Sequence, residues 1–343
     1  MTPKEFGKSL TSPCQIGRIR FSPEGVLFAA AHDGTVLRWD VSGKEPKALP
    51  AVKLHTGWTT AVAFHPSKPL AVSADSHGAL VAWDRKAESP APEWTQPKAH
   101  DGWLRAAIVH NGSAVTVGRD GFVRSWNLGD GKPQRELSLG FDLLSLAGSP
   151  DGQSLVVGDL FGNIHVIDWA KWKGERKLDV KELHLLDRIQ DVGGVRAFAF
   201  KSDGKSLFVA GCQPKSGGFV QGFPLMVELE WATGKRLSQW KGATDNEGFV
   251  HDLLWLDEGF LVGVTSGQPG NGRLFVWKPG DARPLFESAK LPNCHSVARH
   301  PAGRLLAHGA TNANSSGNGK VKGAGGGYPA NTSPIQLWEL PKA

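Results

Sequence analysis

Tyrosine, cysteine and long apolar runs are all scarce in this chain of 343 residues. There is one Tyr, and there are three cysteines, Cys14, Cys212 and Cys294, with no C-x-x-C pair. An odd, unpaired set argues against a disulfide framework and a zinc knuckle, and it reads as reduced thiols in a cytoplasmic protein. No stretch approaches the roughly 18 apolar residues of a membrane-spanning helix, so no membrane partner is expected. Met1–Leu10 carries Lys4, Glu5 and Lys8 without an apolar run, which leaves no secretory signal to read. A helical bundle is excluded by 43 Gly and 22 Pro, nearly one residue in five, because both destabilise helix interiors. Neither sign of charge dominates. A net charge of +6 with a pI near 9.2 permits an anionic partner without requiring one.

Tryptophan is abundant, with thirteen copies, and that number points to one position used repeatedly. Seven short turns divide the chain: Pro23-Glu24-Gly25, Pro66-Ser67-Lys68, His110-Asn111-Gly112, Pro150-Asp151-Gly152, Ser202-Asp203-Gly204, Asp257-Glu258-Gly259 and Pro301-Ala302-Gly303. Their last residues lie 43, 44, 40, 52, 55 and 44 positions apart. A short apolar run stands on each side of every turn, as in Ala61–Phe64 and Leu70–Val72, which is the mark of a hairpin. Downstream of each turn a β-like run closes on Trp39-Asp40, Trp83-Asp84, Trp126-Asn127, Ile167-Asp168, Leu229-Glu230, Trp277-Lys278 or Trp338-Glu339.

A period of 40 to 45 residues closing on Trp-Asp resembles the WD-repeat family of β-propellers, and the resemblance spans essentially the whole chain. It implies an all-β fold: a single seven-bladed propeller of four-stranded antiparallel blades with no second domain. The repeat units fall at residues 11–50, 51–97, 98–138, 139–184, 185–242, 243–288 and 289–343. The last unit stops one strand short, so residues 1–10 are expected to supply the closing outer strand of blade 7. Val180–Asp191, with Leu183, Leu186 and Ile189 at helix-like spacing, reads as the outer strand of blade 4 plus a long connection, with a short helix in it. The second-to-third-strand loops are long in blade 5 (Cys212–Phe223), blade 6 (Thr265–Gly272) and blade 7 (Ala310–Pro334). They are either tolerated insertions or a lid over one sector of the ring.

Aligning the seven repeats locates the mouth of the ring. Side chains alternate along a strand, so two rows continue the core-facing positions of each inner strand towards the blade connections. The nearer row reads Gly17, Thr60, Arg105, Leu143, Arg196, His251 and His295; the farther reads Gln15, Trp58, Trp103, Phe141, Gly194, Phe249 and Asn293. Arg119, in the adjacent hairpin turn, is expected to reach the same mouth. Aromatic residues and Arg dominate protein-binding hot spots, so Trp58, Trp103, Arg105, Arg119, Phe141, Arg196, Phe249, His251 and His295 are the candidate partner-binding residues. The competing reading makes the four aromatics wedges between blades. The resemblance implies partner binding at this mouth. It also implies an internal hydrogen-bonded network in blade 3 of His100, Thr116, Asp120 and Trp126. Blade 2 keeps His55 and Trp83, but His77 stands at the Asp position, so an altered network is expected there.

Catalytic patterns are missing. No HExxH, GxSxG or P-loop spacing occurs, and Gly323–Gly327 lacks the flanking strand and helix of a phosphate loop. His251 and His295 on adjacent blades lack the further ligands of a metal site. The expectation is therefore a non-catalytic protein- or peptide-binding scaffold, a monomeric ring with no cofactor or metal. One alternative is a nucleic-acid binder using Arg105, Arg119, Arg196, Lys215, Lys320 and Lys322 with stacking on Trp58 and Trp103. The other is a propeller hydrolase or lactonase, although neither mouth row contains Asp or Glu.

Overall fold

Every turn triplet joins the first two strands of an antiparallel sheet, and seven such sheets form the protein. The computed structural model describes residues 1–216, 221–268, 270–311 and 332–341. Six sheets have four strands in chain order, as in blade 3: Leu104–His110, Ser113–Gly118, Phe122–Asn127 and Pro133–Ser138. The other inner strands are Ile16–Phe21, Thr59–Phe64, Leu143–Gly148, Val195–Phe200, Phe249–Leu256 and Cys294–Arg299. Each packs on the next, and that of blade 7 packs on that of blade 1, so the sheets close into a ring.

Position within a blade explains the composition of each strand. The second strands Leu27–Ala31, Leu70–Asp75, Ser113–Gly118 and Ser154–Asp159 are buried along their whole length, because neighbouring blades cover both faces. The outer strands Lys47–Lys53 and Pro133–Ser138 are largely exposed, and the second of them is mostly polar. Apolar clusters fill the gaps between blades; in one, Phe28 and Val36 of blade 1 meet Val62, Val81 and Trp83 of blade 2. Adjacent blades are also tied backbone to backbone. Gly78 turns at φ +89°, its carbonyl accepts the His100 amide at 3.1 Å, and a Cβ there would sit 2.1 Å from the His100 carbonyl. Only glycine fits that approach.

The N-terminus completes blade 7, in two pieces rather than one. Lys4–Glu5 pairs with Trp338 and Glu339, and Leu10–Ser12 pairs with Ser333–Ile335, both on the third strand Ser333–Glu339. Between them Gly7 at φ +59° carries the chain tightly past the Lys44 carbonyl. Lys290 Nζ reaches Glu5 at 2.6 Å and fastens the outer piece to the blade 6–7 connection.

Three expectations need correction or restriction. The outer strand of blade 4 is Lys173–Asp179, ahead of the segment assigned to it. The following residues form a 3-10 turn, Lys181–Leu183, and an added hairpin of His184–Asp187 and Gln190–Gly193. Leu183 is buried between blades while Ile189 is 92% exposed, so the helix-like spacing is a turn anchor followed by a hairpin tip. In blade 5 the extra residues extend the hairpin itself: Ser206–Ser216 and Gln221–Glu230 stay paired as far as Ser216 and Gln221. Most of the blade 7 loop, residues 312–331, lies outside the described residues.

Candidate functional site

All seven inner strands carry a β-bulge near their start, in each case placing one extra residue against its partner strand. The extra residues are Gly17, Thr60, Arg105, Leu144, Arg196, His251 and His295. This is the nearer mouth row with one correction: Leu143 is a fully buried core residue, and Leu144 takes the place assigned to it. A bulged residue leaves the ladder and can be aimed independently of strict alternation. Here Arg105, Leu144 and Arg196 border the central channel, a cavity of about 140 Å³ enclosed by six of the seven inner strands.

On the blade 2–3 side the mouth is aromatic. The Trp58 amide donates to Ser76 Oγ at 3.0 Å and its carbonyl accepts the Ser76 amide, so the second-to-third-strand turn fixes its backbone. Its ring stacks on His32 at 4.6 Å, lies 5.9 Å from the Trp103 ring, and is 48% exposed. Trp103 is half-buried, with the Arg105 guanidinium 4.4 Å above its ring. That guanidinium is held from the other side by Asp142, Nε to Oδ1 at 3.1 Å and Nη2 to Oδ2 at 2.8 Å. Arg105 is therefore already matched by a carboxylate of its own chain, whereas Arg119 is exposed on the rim. Phe141 is 41% exposed and meets Phe161 edge to face at 5.0 Å; Phe161 in turn meets His184 of the added hairpin at 5.2 Å.

On the blade 5–7 side the mouth is cationic and closed. Phe249 is only 8% exposed and lies 4.8 Å beneath the Arg196 guanidinium, so it is no contact surface for a partner. His251 and His295 stack at 4.2 Å. Burial, reinforced by His295, Arg196 and Arg18, holds His251 well below the ordinary histidine range. Burial, then His32 and the same two arginines, brings His295 down to about 3. Both rings are neutral at pH 7. Among the described residues no third ligand completes a metal set with them.

The residue after each bulge was overlooked in the sequence, and it holds the strongest electrostatics. That row reads Arg18, Ala61, Ala106, Ser145, Ala197, Asp252 and Ser296. Arg18 and Asp252 interrupt a row of Ala and Ser, and a repeat alignment shifted by one residue exposes them. Asp252 is buried, with Arg20 Nη1 at 2.8 Å, Arg18 Nη1 at 3.3 Å, and Ser296 Oγ donating at 2.7 Å. Burial opposes its ionisation, but Arg20 and Arg18 hold its carboxyl below the usual range. This cluster ties blades 1, 6 and 7 together where the ring closes.

Deeper in the blades the histidines serve a different purpose. His100 Nδ1 contacts Asp120 Oδ1 at 2.8 Å and Nε2 contacts Thr116 Oγ1 at 2.7 Å, which also accepts Trp126 Nε1 at 2.9 Å. Arg124 Nη1 adds a bond to Asp120 at 2.7 Å. In blade 2 the acid is Asp75 rather than a residue at position 77: His55 Nδ1 lies 3.4 Å from Asp75 Oδ2, while Ser73 Oγ meets His55 Nε2 and Trp83 Nε1. The blade 2 network is thus altered as expected: it keeps His55, Ser73 and Trp83, but its acid stands two residues earlier and at a longer distance than in blade 3. In blade 7 His308 replaces the hydroxyl and accepts Trp338 Nε1 directly at 2.8 Å.

Comparison with known proteins agrees with this architecture. Residues 5–40 match the family described as WD domain, G-beta repeat. The chain is 27% identical over 156 residues to the Target of rapamycin complex subunit wat1 of Schizosaccharomyces pombe, covering 44% of this chain and 48% of that protein. It is 28% identical over 103 residues to the kinesin-like protein KIF21B of Mus musculus, covering 30% of this chain and 6% of that one. The matches thus span about half, or far less, of those relatives' lengths. The profile match falls on the first unit of a ring whose seven units share one strand order and one bulge position, so the chain is a seven-bladed β-propeller whose repeats are similar to the WD repeat.

Proposed function

We propose that this protein is a non-catalytic scaffold, a monomeric ring of the cytoplasm, that binds a protein or peptide across the aromatic sector of its mouth. The observation that carries this reading is Trp58, whose indole is 48% exposed beside Trp103, with exposed Arg119 in the adjoining turn. Trp and Arg are the side chains that most often anchor protein interfaces. Phe141 and Phe161 add apolar surface on blade 4, and the added hairpin beside them exposes Leu186 and Ile189. A relative whose name makes it a subunit of a complex supports the same role.

The channel carboxylates support binding over catalysis, since Asp142 and Asp252 are each engaged by arginine. The cations support a protein partner over nucleic acid. Arg105 is matched by Asp142 and Lys215 by Asp245 at 2.7 Å, while Lys320 and Lys322 lie outside the described residues. The test is capture of partners from the source cell on the wild-type chain and on a Trp58→Ala/Trp103→Ala variant. The partner is expected to be lost by about 30-fold or more, on the scale of one hot-spot residue. Equal recovery on a folded double variant overturns the reading.

A further inference from the structure

One guanidinium in the central channel has no partner. Arg196 forms no ion pair and donates no side-chain hydrogen bond among the described residues, and its Nε is buried without an acceptor. Its close contact is the face of Phe249, which offers no lone pair. The other channel arginines are matched: Arg105 by Asp142, and Arg18 and Arg20 by the single carboxylate of Asp252. All four border the same cavity of about 140 Å³, several times the roughly 30 Å³ that one water occupies in the liquid. Four guanidiniums against two carboxylates leave two positive charges uncompensated, and the neighbouring His251 and His295 are neutral. Arg196 is part-buried, and an Nε shut away from water without an acceptor costs free energy unless something satisfies it.

We propose that the central channel is a phosphate site, in which the Arg196 fork, with Arg105 beside it, takes up a phosphate dianion. A planar guanidinium presents two parallel N–H groups that match two phosphate oxygens, and a dianion balances the surplus charge. Burial, and then repulsion from the nearby charge of Arg105, bring Arg196 down to about 10, against a smaller attraction from Asp142, whose carboxylate is hydrogen-bonded to Arg105. An anion between them reverses that repulsion. The site lies two residues further along the inner strands than the aromatic row and does not depend on the peptide-binding reading.

The test is calorimetric titration of the full chain with inorganic phosphate at neutral pH and constant ionic strength, with O-phosphoserine as a second ligand. Saturable one-to-one phosphate binding is expected, weakened by about tenfold or more in Arg196→Met and unchanged in Lys132→Ala, an exposed surface cation paired with Asp130. In phosphate-free buffer Arg196→Met is expected to melt no lower than wild type, because it removes a part-buried charge with no counter-ion and an unsatisfied Nε. Should that variant not fold, Arg196→Lys, which keeps the charge without the fork, is expected to lose at least about threefold. O-phosphoserine binding as well as phosphate assigns the site to phosphorylated residues, and binding of phosphate alone assigns it to the free anion. No saturable binding to wild type, or an affinity unchanged by both Arg196 substitutions, overturns the proposal.

Discussion

Trp58 and Phe249 occupy the same position of the repeat on opposite sides of the mouth, yet Trp58 is 48% exposed and Phe249 only 8%. The bulge residues beside them make the difference. Thr60 is small and turns its hydroxyl to the Leu104 carbonyl at 2.6 Å, which leaves the Trp58 ring to the solvent and His32. Arg196, the bulge residue of the preceding blade, where Trp58 has only Gly17, extends across the Phe249 ring at 4.8 Å and covers it. A shared repeat position therefore sets where a side chain starts, and the neighbouring bulge decides whether it becomes a surface or a floor. One side of the mouth is built for contact and the other for holding charge inside the ring.

The strongest way to break this contrast is Asp252→Asn. It leaves the part-exposed Arg18 and Arg20 without their shared counter-charge, and because water reaches both guanidiniums the expected cost is about 2–3 kcal/mol, below the roughly 3–5 kcal/mol of a fully buried pair. The same class of change on the aromatic side, Arg119→Ala on the exposed rim, is expected to stay within about 0.5 kcal/mol. Urea unfolding of the two variants compares the sides directly. Equal losses would mean that the Asp252 cluster does not brace the ring.

Acid is the next largest perturbation, and it acts on the closed side. His308 is fully buried and burial brings it down to about 4; His295 is brought down to about 3. Unfolded histidine titrates near pH 6.5, so below that pH the unfolded chain binds protons that the folded ring refuses. Stability is then full above pH 6.5 and falls as the pH drops towards 4. For His308 the loss is about 1.4 kcal/mol per pH unit. The Asp75 and Asp120 carboxyls act lower still: burial opposes their ionisation, but hydrogen bonds from His55 and His100 win, leaving Asp75 at about 2. His308→Gln is expected to flatten the curve between pH 6.5 and 4. An unchanged slope would move the acid sensitivity to the carboxylates.

The periodic features of this contrast were legible in the sequence, and the local ones were not. Turn triplets and closing Trp residues recur because every blade solves the same pairing problem, so seven sheets and the missing last strand could be counted. Strict alternation located the mouth rows but cannot register an inserted residue. It therefore put Leu143 where Leu144 stands and passed over Arg18 and Asp252. The hairpin at His184–Gly193 imitated a helix because a buried anchor and an exposed tip chance to share its spacing. Asp75 escaped because its carboxylate reaches His55 from the end of the second strand rather than from the turn. Which charges pair across the channel depends on three-dimensional closure, to which a repeat alignment is blind.

Removing residues 1–12 sharpens the comparison from the edge of the ring. The deletion strips both N-terminal pieces from the third strand of blade 7, the blade that carries His295, and leaves blades 2 and 3 untouched. An exposed edge strand invites pairing with other chains, so a fall of several degrees in Tm or oligomerisation is expected. A monomeric chain with unaltered melting would mean that the ring closes without this strand.

The smallest expected effect on stability, and the most informative about binding, comes from the two tryptophans taken singly. Trp58 already gives almost half its surface to water, so Trp58→Ala removes little burial and is expected to cost less than about 1 kcal/mol of stability. Trp103 is half-buried under Arg105, so its truncation also loses a cation–π contact, adding about 0.5–1 kcal/mol. In partner affinity the order is expected to reverse, because an exposed ring has more surface left to bury on binding. Trp58→Ala should cost about 2 kcal/mol, the scale of a hot-spot residue, and Trp103→Ala less. Melting curves and partner affinity measured on the same preparations separate the two quantities. Were Trp58→Ala to lose several kcal/mol of stability and no affinity, Trp58 would be a wedge between blades, and the aromatic sector would join the closed side as part of the frame.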